Sequence, residues 1–136
     1  MAVTVLLTPS IVINSVDLTS HIDSVDIAEK WADIDTTAFG SAGNKTRVAG
    51  LGDHSITLNF QQDFAGSSVE ATIYPLVGTV ASFTIKPMNA TTSTTNPAYT
   101  FTALINDWKP VSGKVGVLMV SSATWPISGG VTKAFS

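Results

Sequence analysis

Apolar and polar residues alternate one for one from Ser55 to Gln61, and this constrains the fold more than any other feature of the chain. Ile56, Leu58 and Phe60, with Phe64 beyond them, fall on one side of a period-two pattern; Ser55, Thr57, Asn59 and Gln61 fall on the other. Successive side chains of a strand point to opposite faces, so the pattern specifies a strand with one apolar and one wetted face. Alternation recurs at Val25 and Ile27, at Ala81, Phe83 and Ile85, and at Tyr99, Phe101, Ala103 and Ile105. Further strands are expected at 3–7, 11–13 and 23–31. In a last strand Val117, Met119, Ala123 and Trp125 share a face, and Leu118 and Val120 make it apolar on both sides, as in a covered strand. The one helical signal covers 67–74. Ser67 and Glu70 have capping-box spacing, Val69 and Ile73 share a face, Pro75 interrupts the helix and Gly78 closes it.

Runs of strands around a single short helix predict a mainly β fold. The expected architecture is an antiparallel β-sandwich or barrel with the helix on one side, formed as one domain over 1–136. Between the strands lies a long connection, 36–52, which holds Gly40, Gly43, Gly50 and Gly52, four of the chain's 10 glycines. It lacks apolar periodicity and reads as a flexible loop. Loops beyond ~12–15 residues in compact domains are usually functional or disordered.

Charge is scarce. Lys and Arg number 7 and Asp and Glu 10, together 12% of the chain, against ~25% in typical soluble domains. A compact monomer of this mass would show roughly 6,800 Å² of surface, which so few ionised groups cover thinly. Ser and Thr, about a quarter of the residues, offset this only partly. A surface covered by copies of the same chain fits better than a free monomer.

Several classes are disfavoured. A pI near 5.0 and net charge of -3 argue against tight nucleic-acid binding, which needs clustered cations. The first residues lack the basic region of a signal peptide, and no apolar run approaches the ~20 residues of a membrane span. His21 and His54 stand alone in sequence and read as surface or turn residues. Gly50-Leu51-Gly52-Asp53 lacks the third glycine and following helix of a dinucleotide site, and Ser112-Gly113-Lys114 lacks the upstream glycine of a phosphate loop. No nucleophile elbow occurs, and the sequons at Asn44 and Asn89 are read as chance matches. An enzyme is thus the least favoured class, with no cofactor or metal expected. Trp31, Trp108 and Trp125 fit core or interface filling better than a sugar-binding platform.

Charge placement is more suggestive. Asp17, Asp23, Asp26, Glu29, Asp33 and Asp35 are six of the 10 acids, whereas Lys86, Lys109, Lys114 and Lys133 dominate the C-terminal part, and Lys45 and Arg47 lie in the connection. These are either solvated faces or unlike patches that meet between subunits, head to tail. Asp23, Asp26, Glu29 and Asp33 against Lys86, Lys109 and Lys114 are the candidate interface charges.

Asn14-Ser15-Val16-Asp17-Leu18-Thr19-Ser20-His21-Ile22-Asp23-Ser24-Val25 resembles the opening of the tail tube (major tail) proteins of long-tailed bacteriophages. The resemblance continues through Gly50–Ser55, Asn59–Phe64, Tyr74–Thr79, Asn96–Thr100 and Trp125–Gly129, and covers about 10–135. Val117-Leu118-Met119 departs from the family pattern, which carries an acid before the Leu. The resemblance implies a subunit of hexameric rings that stack into the tube through which the genome leaves the capsid. Ser55, Thr57, Asn59 and Gln61, with Ser82 and Thr84, would then face the lumen, while Gly40, Gly43, Lys45 and Arg47 would belong to an arm contacting the next ring. Implied partners are the chain itself, the tail terminator, distal tail or baseplate proteins, the tape measure protein and double-stranded DNA in passage without tight binding. The implied location is the virion tail, after assembly in host cytoplasm, with no membrane involved. Alternatives are a terminator, completion or capsid decoration protein, and a monomeric carbohydrate-binding or adhesion module.

Overall fold

The β6 strand, Ser55–Gln61, has the expected alternation: Ile56, Leu58 and Phe60 are buried, and the intervening polar residues are half-exposed. It lies near one end of a curled antiparallel sheet in a computed structural model that describes residues 5–135. The elements in chain order are β1 Ser10–Ile13, β2 Val16–Asp17, β3 Ile22–Ala28, β4 Trp31–Asp35, β5 Arg47–Gly52, β6, α1 Val69–Ile73, β7 Val80–Lys86, β8 Ala98–Leu104 and β9 Val120–Ala134. The sheet is 7-stranded with order β2-β1-β7-β8-β9-β6-β3, and β4 and β5 form a separate pair. The mainly β antiparallel fold with one short helix is the one the alternation predicts, and the expected sandwich or barrel takes the form of a curled half-barrel.

β9 holds the curled sheet together. Residues Val120 to Pro126 pair with β6, and Ile127 to Ala134 pair with β8. Pro126, which lacks an N–H, stands where β9 leaves one partner for the other, so it costs the ladder little. Extra residues bulge opposite Phe101, between the Thr102–Ser128 and Thr100–Thr132 pairs, and Gly129 takes a φ of 86° there. Bulges bend a strand and raise its twist, so one continuous strand serves both arms of the curl.

Inner faces of both arms meet in one core. Trp125 is fully buried, with ring centroids 5.9 Å from Phe60 and 5.8 Å from Phe83, and its indole N–H donates to the Asp107 carbonyl at 2.7 Å. Phe83 stacks on Phe101 at 5.2 Å. Val69 and Ile73 of α1 close the concave side. Each such side chain contributes about 1.5–3 kcal/mol by burial.

Several expectations change. Of the proposed 3–7 strand, residues 3 and 4 lie outside the described residues, and 5–7 form no strand. Phe64 is exposed, because β6 ends at Gln61. Val117 and Leu118 are exposed in a turn, so the last strand starts at Val120 and is not covered on both faces there. The Ser67–Glu70 capping box does not form. Ser67 has a φ of 59°, and Ser68 at the N-cap gives its hydroxyl to Asp63 Oδ2 at 2.8 Å. Glu70 Oε1 accepts instead from Trp108 Nε1 at 3.0 Å and Gln62 Nε2 at 3.1 Å. Gly78 closes the helical stretch as expected, with a φ of 86° and its N–H on the Ile105 carbonyl.

Asp63 is the hub of the turn that leads into α1. The Ala65 N–H, the Ser68 hydroxyl and then His21, whose Nε2 is 2.9 Å away, hold its carboxyl below the usual carboxylate range. A folded-state pKa below the unfolded one stabilises the fold above the unfolded value and loses that stabilisation as pH falls through the folded value. The melting temperature of wild type should therefore exceed that of Asp63→Asn at neutral pH. The gap should narrow as pH is lowered below 3.8, the ordinary value for the group. A gap independent of pH would refute this role.

Candidate assembly surface

Three surface features stand out, and each grows from the strand pattern. The first is the outer face of the curl. Cross-strand pairing sets Thr57 beside Thr124 and Asn59 beside Ser122, with Ser24 and Asp26 of β3 on their other side. Farther round, Ser82 pairs with Thr102 and Thr84 with Thr100, and these lead on to Ser128 and Thr132. The result is a belt of hydroxyls and amides. The Thr57 and Thr124 hydroxyls lie 3.1 Å apart, and Asn59 Nδ2 donates to Asp23 Oδ1 at 2.6 Å. Ser55, Thr57, Asn59 and Gln61 are thus together on one face. Ser82 and Thr84 lie at the far end of the same belt, around the core from β6. Ser122, Thr124, Thr100 and Thr102 belong to it too. In the sequence the apolar run Val117–Val120 masks the first pair, because it suggests a strand apolar on both faces.

The second feature is an arm. The stretch read as loop 36–52 contains β5, which pairs with β4. The register that pairs Ser24 with Asn59 and Ala28 with Ser55 also pairs Trp31 with Gly52, so β4–β5 continues the β3–β6 hairpin beyond the body. At its base the Asp53 N–H donates to the Lys30 carbonyl at 2.8 Å. The Lys30 N–H donates to Nδ1 of His54, which is buried and stands edge-on to Trp31 with centroids 5.0 Å apart. His54 is therefore not the surface residue its isolation suggested; it plugs the root of the arm.

β4 and β5 pack chiefly on each other. Ile34 and Val48, which are paired, remain exposed, as do Trp31, Leu51 and Phe39. Gly40 lies in the turn at the tip and Gly43 just beyond it with a φ of 82°. Lys45 is exposed near that tip. Arg47 Nε lies 3.6 Å from Asp33 Oδ2, so these two charges are first of all partners within one arm. The total accessible surface is 8411 Å², about a quarter above the roughly 6,800 Å² of a compact monomer.

The third feature is the distribution of the remaining charges. Asp23 and Asp26 are exposed on β3 and Glu29 just past its end, along what is, among the described residues, a free edge of the sheet. Lys109 and Lys114 are exposed in the loop before β9. Lys86 is half-buried and gives its Nζ to the Ala90 carbonyl at 2.9 Å, beside Glu29 in a shared cavity. Among the described residues no group of His, Cys, Asp and Glu has the spacing to hold a metal ion, and no helix is long and apolar enough to cross a membrane.

No protein-family model matches the sequence, and no curated protein does. Solved structures do match. A chain of the native gene transfer agent virion superposes with a TM-score of 0.71 at 12% identity, covering 92% of this chain and 95% of that one. A chain of the empty gene transfer agent tail, determined with C6 symmetry, gives 0.60 at 15% identity over 82% and 81%. A chain of the anti-feeding prophage baseplate, six-fold symmetrised, gives 0.57 at 9% identity over 98% and 97%. The chain has the fold of these subunits.

Proposed function

We propose that this protein is a structural subunit of a phage-type tail, forming hexameric rings that stack into the tail tube. The observation that carries the reading is the fold match to a chain of a C6-symmetric gene transfer agent tail, over 82% of this chain, and to a chain of a six-fold symmetrised baseplate, over 98%. The surface supports it: a projecting arm with exposed apolar side chains suits contact with a neighbouring ring. An uncharged hydroxyl and amide belt with Asp23 and Asp26 at its margin suits a conduit, since phosphate is not held there. The two arms of the curl enclose one core, so their outer faces diverge and a single lumen takes only one. We assign the lumen to Ser55, Thr57, Asn59 and Gln61 on β6, not to Ser82 and Thr84. The role is non-enzymatic. Partners would be other copies, the terminator, distal tail or baseplate proteins, the tape measure and passing double-stranded DNA. The protein would reside in the virion tail after assembly in the cytoplasm. A ring that does not stack, as in a baseplate-proximal component, is the second reading, favoured by the baseplate similarity.

The chain has no native cysteine, so Thr57→Cys gives a single label site. In stacked tubes, bulky thiol reagents should modify it far more slowly than in free subunits. Equal rates would remove β6 from the lumen, and rings without tubes under negative stain would favour the second reading.

A further inference from the structure

The curled sheet does not close on itself. Along its β3 edge, β3 and the opposing wall from β7 and β8 leave an apolar seam. One cavity there, about 330 Å³, is lined by Val25, Ile27, Ile85 and Tyr99 together with Leu6 and Pro9 of the N-terminal segment, with Glu29 and Lys86 at its margin. A second, about 200 Å³, continues along Ile22 and Val25 with Asp23 at its margin. Val25 and Ile27 face inward but stay half-exposed, covered among the described residues only in part by Leu6, Leu7 and Pro9. Among the described residues β3 also keeps one row of backbone hydrogen-bonding groups without a strand partner, since it ends the sheet order. The seam is thus apolar within, and at its rim stand Asp23 and Glu29, with Lys86 beside Glu29 turned to the Ala90 carbonyl.

A complementary surface exists elsewhere on the same chain. The 109–119 loop is anchored at both ends: Ser121 Oγ donates to the Lys109 carbonyl, Gln62 Nε2 to the Pro110 carbonyl at 2.8 Å, and Gln62 N–H to the Met119 carbonyl at 3.0 Å. Between these anchors Val111, Val115, Val117 and Leu118 project into solvent, and Val115 is 102% exposed. Lys109 precedes them and Lys114 stands next to Val115. Holding both ends of an apolar loop lowers the ordering cost of docking it. None of the loop residues lines the seam of its own chain.

We propose that the loop of one subunit, centred on Val115, seats in the β3 seam of a second copy, with Lys109 and Lys114 against Asp23 and Glu29. Two different patches on each copy make the contact head to tail, the type that closes into rings. The charge pairs set register and suppress reversed docking, and the valines supply the buried area. This rests on the ring-forming reading above and names the surfaces within a ring; the stacking arm takes no part.

The test uses the full chain and four variants, Val115→Asp, Lys114→Glu, Glu29→Lys and the Lys114→Glu/Glu29→Lys double. Each is followed by sedimentation velocity across concentration and by thermal melting. Val115 has no contacts to lose, so Val115→Asp should melt like wild type yet raise the concentration of half-assembly about tenfold or more. Each single charge reversal should weaken assembly several-fold, and the double variant should recover most of the loss. Rings that form as readily in Val115→Asp as in wild type would overturn the docking and leave the ring reading intact. Single reversals without recovery in the double would overturn the charge pairing. A wild type that stays monomeric at every concentration would overturn both this inference and the reading it rests on.

Discussion

A chain in which Asn-Gly replaces 31–52 is expected to fold and to form no stacked tubes. The geometry at the root of the arm allows the exchange. Lys30 and Asp53 are joined by a 2.8 Å hydrogen bond and continue the register in which Ala28 faces Ser55. Asn-Gly is a favoured two-residue connection for such strands, because both positions tolerate positive φ. No core residue is removed, since the buried cluster contains nothing from β4 or β5. The loss falls on Trp31, whose edge contact with His54 disappears; we expect that to cost about 1 kcal/mol. An isolated two-stranded hairpin is at best marginally stable in water. One that exposes Ile34, Val48, Leu51 and Phe39 gains most by being covered. Melting within a few degrees of wild type, with rings but no tubes under negative stain, is the predicted outcome. Long tubes from this variant would show that the arm does not stack.

Ile73→Asp should abolish the native state. Ile73 is fully buried on the inward side of α1. Truncating such a side chain costs about 2–5 kcal/mol by itself. A carboxyl in its place has no partner and must either lose its hydration or be protonated, adding several kcal/mol more. The sum rivals the ~5–15 kcal/mol that holds a typical domain together. Ile73→Val, costing about 0.5–1.5 kcal/mol, should melt cooperatively at a slightly lower temperature. A cooperative melt of Ile73→Asp near that of wild type would mean the helix does not seal the core.

Strands whose two faces differ in environment were legible in the sequence. β6, β7 and β8 each bury one side and wet the other, and their residues say so. The arm was hidden by its own packing. A Cβ on Gly50 would come within 2.7 Å of Ile34 Cδ1, and one on Gly52 would meet His54 Nε2 at 2.8 Å and Trp31 Cζ3 at 2.9 Å. Close approach to the buried His54 and to Trp31 favours glycine at Gly52, whereas the exposed Ile34 side chain could give way at Gly50; glycines in a strand without alternating apolar residues read as loop. β9 was masked differently. Pro126 and Gly129 usually mark an end, yet here they mark the exchange of partners and the bulge within one strand. His54 gave no signal at all, because its burial comes from one backbone N–H and a neighbouring indole, neither of which leaves a periodic trace. Of the candidate surface, the β6 row was readable as neutral and wetted. Its continuation through Ser122, Thr124, Thr100 and Thr102 needed the strand order, which no local pattern encodes.

The partner exchange along β9 has a mechanical consequence. Tension applied at the arm would enter β6, cross the ladder into the first half of β9, and run along an unbroken backbone into the half bound to β8. No loop interrupts that load path. A pull along these strands would load many ladder bonds in shear at once instead of unzipping them singly.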